Sequence, residues 1–303
     1  MKFIDIAPVH DLDQIKDQDT HMILAWLLKD SQEYMEFYIN LKKLNPKNYY
    51  ILDNGANESS LFADGQLMFY ARQINADEIV LPDKFDDCYG THNASMRFIT
   101  EYGVECHDKN IKFMGVIQGI YPEVFRSCYD IFSGSSQIDV IGIGYRNLLK
   151  PFSEEISNVS IEQWKKWGID NIDTLIKKLE DNTFLYTMSR VYFLKKYVNF
   201  TLLKRSGKRI HLLGLTNPIE LSLYKKMFDP QELKMIRGCD SATAFQAAQA
   251  NVHFDKSYGV VTKPKKLLEF KRKLSDNELN LMKYNRQIIN EWMEIKNGIS
   301  NKP

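Results

Sequence analysis

Three aspartates and a glutamine stand where short apolar runs end. Tyr49-Tyr50-Ile51-Leu52 runs into Asp53-Asn54-Gly55, Glu78-Ile79-Val80-Leu81-Pro82 into Asp83, Lys112 to Ile117 into Gln118-Gly119, and Met235 to Cys239 into Asp240-Ser241. A run of β-formers stopped by a carboxylate, an amide or a glycine is how a buried strand leaves a sheet and turns. Two carboxylates delivered to one rim, Asp53 and Asp240, suit substitution at an anomeric carbon. One attacks, the other moves protons, and two successive displacements retain configuration. Asp83 would read a base edge, and Gln118 would present a side-chain amide to a purine or simply cap the helix that follows. Aspartate at a strand end is also a common turn former and helix cap, so the set carries more than any member.

Two further runs end in the same way. Val140-Ile141 leads into Gly142-Ile143-Gly144, and Ile210 to Leu213 into Gly214-Leu215-Thr216. The glycines would let backbone amides approach a ligand, or only permit a tight turn. Gly142 and Gly144 with one residue between them are no dinucleotide fingerprint, and the G-x-x-x-x-G-K-S/T phosphate loop is absent.

The elements needed to hold these residues follow from the pattern. With Lys2–Ile6 and His21–Leu28 added, the apolar runs number about eight, mostly separated by helical periodicity. That is the count and alternation of a (β/α)8 TIM barrel, whose active sites lie at the carboxyl ends of the strands. A doubly wound sheet with a second domain is the alternative. Helices are expected through Tyr34–Leu41, Leu61–Ile74, Ser95–Tyr102, from Tyr121-Pro122-Glu123, near Thr183–Leu203, and through Ile219–Phe228 and Ala242–Asn251. Ser275-Asp276-Asn277-Glu278 is a capping box opening a terminal helix through Trp292. The barrel is expected to occupy residues 1–260. It includes an elaborated segment, 146–208, inserted between strands six and seven, far longer than one crossover needs and so a candidate substrate-gripping element. Residues 261–303 form a basic segment and a C-terminal helical extension packed on the barrel.

Composition narrows the partners. The 303 residues have a 44% hydrophobic share, ordinary for a globule. Lys plus Arg (40) nearly cancels Asp plus Glu (39), so a polyanion would have to be met by a local patch. Lys263, Lys265, Lys266, Lys271, Arg272 and Lys273 form one, interrupted by Leu267, Leu268 and Phe270. It would track phosphates or be a solvated helix face. Four cysteines lack C-x-C or C-x-x-C spacing, against a structural zinc site or a disulfide framework. No run approaches a membrane span and the first residues lack a signal-peptide core, so a cytoplasmic protein with no membrane partner is expected.

Taken in order, Leu52-Asp53-Asn54-Gly55, Leu81-Pro82-Asp83, Gly115-Val116-Ile117-Gln118-Gly119, Ile141-Gly142-Ile143-Gly144, His211-Leu212-Leu213-Gly214 and Gly238-Cys239-Asp240-Ser241 resemble the strand-end motifs of the tRNA-guanine transglycosylase family. The likeness covers about Leu52 to Ser241. It implies a glycosyltransferase, a pentosyltransferase that exchanges guanine for a 7-deazaguanine with no metal or organic cofactor in the chemical step. Asp240 matches the nucleophile and Asp53 the general acid/base. Asp83 and Gln118 match the pair reading the purine edge, and Gly142, Ile143 and Gly144 the backbone that binds the base carbonyl. Ile143 stands where the family has the second glycine of a pair, and Asn57 where it often has a stacking aromatic. The C-x-C-x-x-C zinc site of members acting on tRNA is missing. A zinc-free chain with this motif set looks like the phage-type DNA-guanine transglycosylases, which protect viral DNA from restriction. The partners implied are DNA, single-stranded or with its guanine flipped out, and a free base such as 7-cyano-7-deazaguanine, in the host cytoplasm if the source is viral. The same exchange on tRNA, or a catalytically silent nucleic-acid-binding subunit, are the other readings.

Overall fold

All eight apolar runs are strands in the computed structural model, which describes residues 1–56, 62–179, 181–215, 217–261, 264 and 267–294. They are β1 Lys2–Asp5, β2 Thr20–Leu24, β3 Tyr49–Asp53, β4 Glu78–Val80, β5 Lys112–Val116, β6 Val140–Gly144, β7 Arg209–Leu213 and β8 Ile236–Ser241. Every pairing is parallel and the order is β1-β8-β7-β6-β5-β4-β3-β2. The sheet therefore curls into a nearly closed (β/α)8 barrel, with β1 beside β2 at the seam. Because the strands run the same way, all their carboxyl ends share one rim.

Helices cover the outside: α1 Ala25–Asp30, α2 Gln32–Leu44, α3 Asp64–Ile74, α4 Cys88–Asp108, α5 Pro122–Gly134, α6 Tyr145–Ser157, α7 Ile161–Lys166, α8 Ile172–Lys178, α9 Asp181–Tyr197, α10 Phe200–Ser206, α11 Ile219–Met227, α12 Pro230–Met235, α13 Thr243–Gln249 and α14 Asp276–Glu294. Among the described residues no helix is long and apolar enough to cross a membrane.

Local chemistry sets several boundaries. The second strand stops at Leu24, four residues earlier than its apolar run. There the Leu24 N–H donates to the Tyr34 hydroxyl instead of continuing a ladder, and α1 begins. Helix α4 starts seven residues before the expected Ser95, because Asp87 accepts from the Gly90 N–H as its cap. At α14 the capping box forms as the sequence spells it: the Ser275 N–H donates to Glu278, and the Glu278 N–H to the Ser275 hydroxyl. The terminal helix buries Met282, Ile288 and Ile289, and Arg286 pairs with Asp5 at 2.8 Å.

The elaborated segment between β6 and β7 is five helices. Its first, α6, takes in the polar residues from Ser153 to Ser157. The single helix expected near Thr183–Leu203 breaks at Val198-Asn199, where the Asn199 side chain accepts from the Leu202 N–H and opens α10. Residues 187–194 of α9 are all buried. A helix buried on every face is packed between other layers, here with Phe125 and Phe152 against Phe193.

Candidate active site

The inside of the barrel is polar in its middle layer. Arg237 on β8 donates through Nη1 and Nη2 (2.7 Å) to the two oxygens of Glu78 on β4, and the Tyr49 hydroxyl of β3 donates to the same carboxylate at 2.8 Å. β8 and β4 are not neighbours, so these contacts pass through the interior. Glu78 has no exposed surface. Burying such a charge is tolerable only because every oxygen has a donor.

Arg237 also donates through Nε to His211 Nδ1 at 3.3 Å, and His211 Nε2 lies 2.9 Å from Asp240 Oδ1. Guanidinium groups only donate, so Nδ1 is the acceptor nitrogen. The ring proton therefore sits on Nε2 and points at Asp240. Burial, and then Arg237, push the His211 pKa below the ordinary histidine value, which keeps the ring neutral. The second Asp240 oxygen accepts from the Gly214 N–H at 3.2 Å. Both oxygens are thus held, and the carboxylate plane is fixed.

One extra residue in β8 makes this possible. Pairing with β7 steps from Ile210↔Ile236 to His211↔Gly238, leaving Arg237 as a bulge. A bulge shifts the alternation of side chains by one, so residues three apart, Arg237 and Asp240, meet the same imidazole. On β3, Asp53 shares the face of Tyr49 by the two-residue period. It lies at the strand's exit, half-buried, with Oδ2 accepting from the Gly55 N–H at 3.0 Å. Asp53 and Asp240 therefore belong to one inner face and one rim.

Asp83 is a third carboxylate at that rim, 6% exposed. Asn54 Nδ2 donates to its Oδ1 at 2.7 Å and to the Leu81 carbonyl, and Gln118 Nε2 donates to its Oδ2. Burial raises the Asp83 pKa against the pull of these two amides. Gln118 is wholly buried, with Oε1 accepting from the Asp86 N–H. In this arrangement it orients Asp83 and is itself closed to solvent. Each Asp83 oxygen keeps a second lone pair for a ligand N–H.

The glycine run divides by position. At Gly142 a Cβ would lie 2.9 Å from the Met114 sulfur and 3.0 Å from Leu213, so glycine serves strand packing there. Ile143 is fully buried, and of the three only Gly144 reaches the rim. Asn57, Thr216, Lys263, Lys265 and Lys266 lie outside the described residues. Of the remaining basic cluster, Lys271 pairs with Asp30 at 3.5 Å and Arg272 is bidentate to Glu278, whose pKa it draws down to about 2; Lys273 is exposed. The Phe270 carbonyl accepts from the Val9 N–H and its ring meets Trp26 edge-on, which sets the segment beside the β1 and β2 exits. Phe85, Tyr89 and Tyr121, none of them among the site residues expected from the sequence, are exposed at the β4 and β5 exits.

His211 gives a pH prediction with a definite sign. Its folded pKa is depressed, so its contribution to stability is present above the ordinary histidine value and lost as pH falls through the lower folded value. Thermal melting from pH 7 to 5 should show wild type losing more stability than His211→Phe over that interval. Parallel curves would assign the acid-side loss elsewhere.

Compared with known protein families and with curated protein sequences, the chain matches none. Among the described residues, no three His, Cys, Asp or Glu side chains group as a metal site.

Proposed function

We propose that the protein is a DNA-guanine transglycosylase that exchanges guanine for a 7-deazaguanine and so guards viral DNA from restriction. The observation that carries the reading is the pair of inner-face carboxylates at one rim, Asp53 and a rigidly held Asp240, beside the amide-braced Asp83. Asp240 attacks the anomeric carbon of a deoxyguanosine, the bond to N9 breaks, and the electron pair leaves with guanine as Asp53 delivers a proton. Asp53 then takes the N9 proton of the incoming base, whose nitrogen displaces Asp240 from the sugar. The second inversion restores the configuration. Asp83 accepts from the N–H groups of the guanine edge, and the Gly144 amide donates to its carbonyl.

A polymer partner is supported by the exposed aromatics. Tyr89 and Tyr121 are 71% and 61% exposed at the rim, and unpaired bases stack on such rings at about 1–3 kcal/mol each. Lys273, close in sequence to Phe270, lies beside the same rim at the β1 and β2 exits. The deciding test offers DNA and tRNA carrying labelled guanine to the purified chain, with a 7-deazaguanine supplied. Release from DNA is expected; release from tRNA alone would reassign the polymer, and release from neither would leave a binding subunit. Asp53→Asn should still form a covalent adduct while turnover drops about 10²–10⁴-fold, measured by guanine release against adduct yield.

A further inference from the structure

The inserted helix α9 carries Arg190, fully buried and fully engaged. Its Nε and Nη2 grip Glu220 of α11 at 2.7 and 2.8 Å, and Glu220 also accepts from the Tyr224 hydroxyl. The remaining Nη1 donates to two carbonyls, Ile143 at 3.3 Å and Leu213 at 3.0 Å. These carbonyls end adjacent strands, since Gly144 pairs with Leu213 in the β6–β7 register. A trans peptide holds its C=O and N–H in opposite directions. Fixing the Leu213 carbonyl toward β6 turns the Gly214 N–H toward β8, where it meets Asp240. Fixing the Ile143 carbonyl toward β7 turns the Gly144 N–H toward β5, the side of Gln118 and Asp83.

We infer that Arg190 is a positioning residue, a brace from the inserted helices that sets two peptide planes at once, one at Asp240 and one facing the Asp83–Gln118 pair. The functional consequence rests on the proposed base exchange; the brace itself does not. A guanidinium suits the task because its planar fork holds Glu220 bidentately while a third direction remains for the carbonyls. Lysine could serve Glu220 or the carbonyls, but not both.

The test uses the full chain as wild type, Arg190→Lys, and the double variant Arg190→Met with Glu220→Leu. The double variant replaces the buried pair by apolar side chains, an exchange that is often neutral for stability. Leu213–Gly214 is the only Leu–Gly step in the sequence, so ¹³C′-leucine with ¹⁵N-glycine labelling isolates the Gly214 amide in an NMR spectrum. In both variants the Gly214 signal should shift, and kcat should fall about tenfold while KM for the oligonucleotide stays within about twofold, the split that marks loss of a transition-state arrangement. An unmoved Gly214 signal overturns the brace, and a shifted signal with wild-type kcat overturns its functional consequence. If both variants melt below the assay temperature, Arg190 serves the fold alone and the inference fails. Should wild type exchange no guanine, the functional reading fails separately, and the Gly214 signal still decides whether the brace exists.

Discussion

Asp240→Asn should bind guanine-containing single-stranded DNA as wild type does, release no guanine, and form no covalent adduct. The loss expected for removing a nucleophile is at least on the order of 10³-fold in single-turnover release. The fold should survive the change. An asparagine Oδ1 still accepts from His211 Nε2–H, and the only clash is between its amide donor and the Gly214 N–H, a lost hydrogen bond worth about 1 kcal/mol. Denaturing electrophoresis of a stalled reaction reads the outcome directly. An adduct of equal yield in the variant would show that another group attacks, and the role given to Asp240 would have to be withdrawn.

The second large effect is on stability. Glu78→Leu removes the carboxylate that binds both Arg237 and Tyr49 in the barrel interior. Stranding one partner of a buried pair costs about 3–5 kcal/mol. The lower end applies here, because the Arg237 side chain keeps 16% exposure. Urea denaturation should lower the midpoint by that free energy divided by the slope, with the slope unchanged. Adding Arg237→Met should recover much of the stability yet leave exchange impaired, since His211 Nδ1 would lose the donor that fixes its tautomer. A single variant as stable as wild type would mean that the interior is wetter than its hydrogen bonds imply.

The barrel was legible because six of the strands, β3 to β8, run into a carboxylate, an amide or a glycine, so Asp53, Asp83, Gln118, Gly142 to Gly144 and Asp240 marked strand exits without reference to contacts. Boundaries were less so. Gly90, His92 and Asn93 weaken the helical pattern at the start of α4, and the apolar Ala25–Leu28 reads as strand until Tyr34 is known to take the Leu24 N–H. The polar line Glu78, Arg237, His211 joins residues up to 159 apart in sequence, beyond the reach of any periodicity. A signal for it did exist: a histidine between Ile210 and Leu212, and an arginine within Met235–Cys239, are polar groups in apolar runs and each required a buried partner. Arg190, followed by Val191-Tyr192-Phe193-Leu194, posed the same question inside a helix. The paired state of Arg272 and Lys271 likewise depended on acids placed by the fold, Glu278 and Asp30.

The bulge at Arg237 has a consequence for how such a chain can vary. Shortening β8 by one residue anywhere between Ile236 and Asp240 would leave composition, hydropathy and the neighbouring helices almost untouched. It would also rotate the carboxylate out of the lumen and into the greasy layer beneath the outer helices. A homologous sequence aligned with a gap at that spot would keep its aspartate on paper while losing the orientation that carries the acid into the lumen.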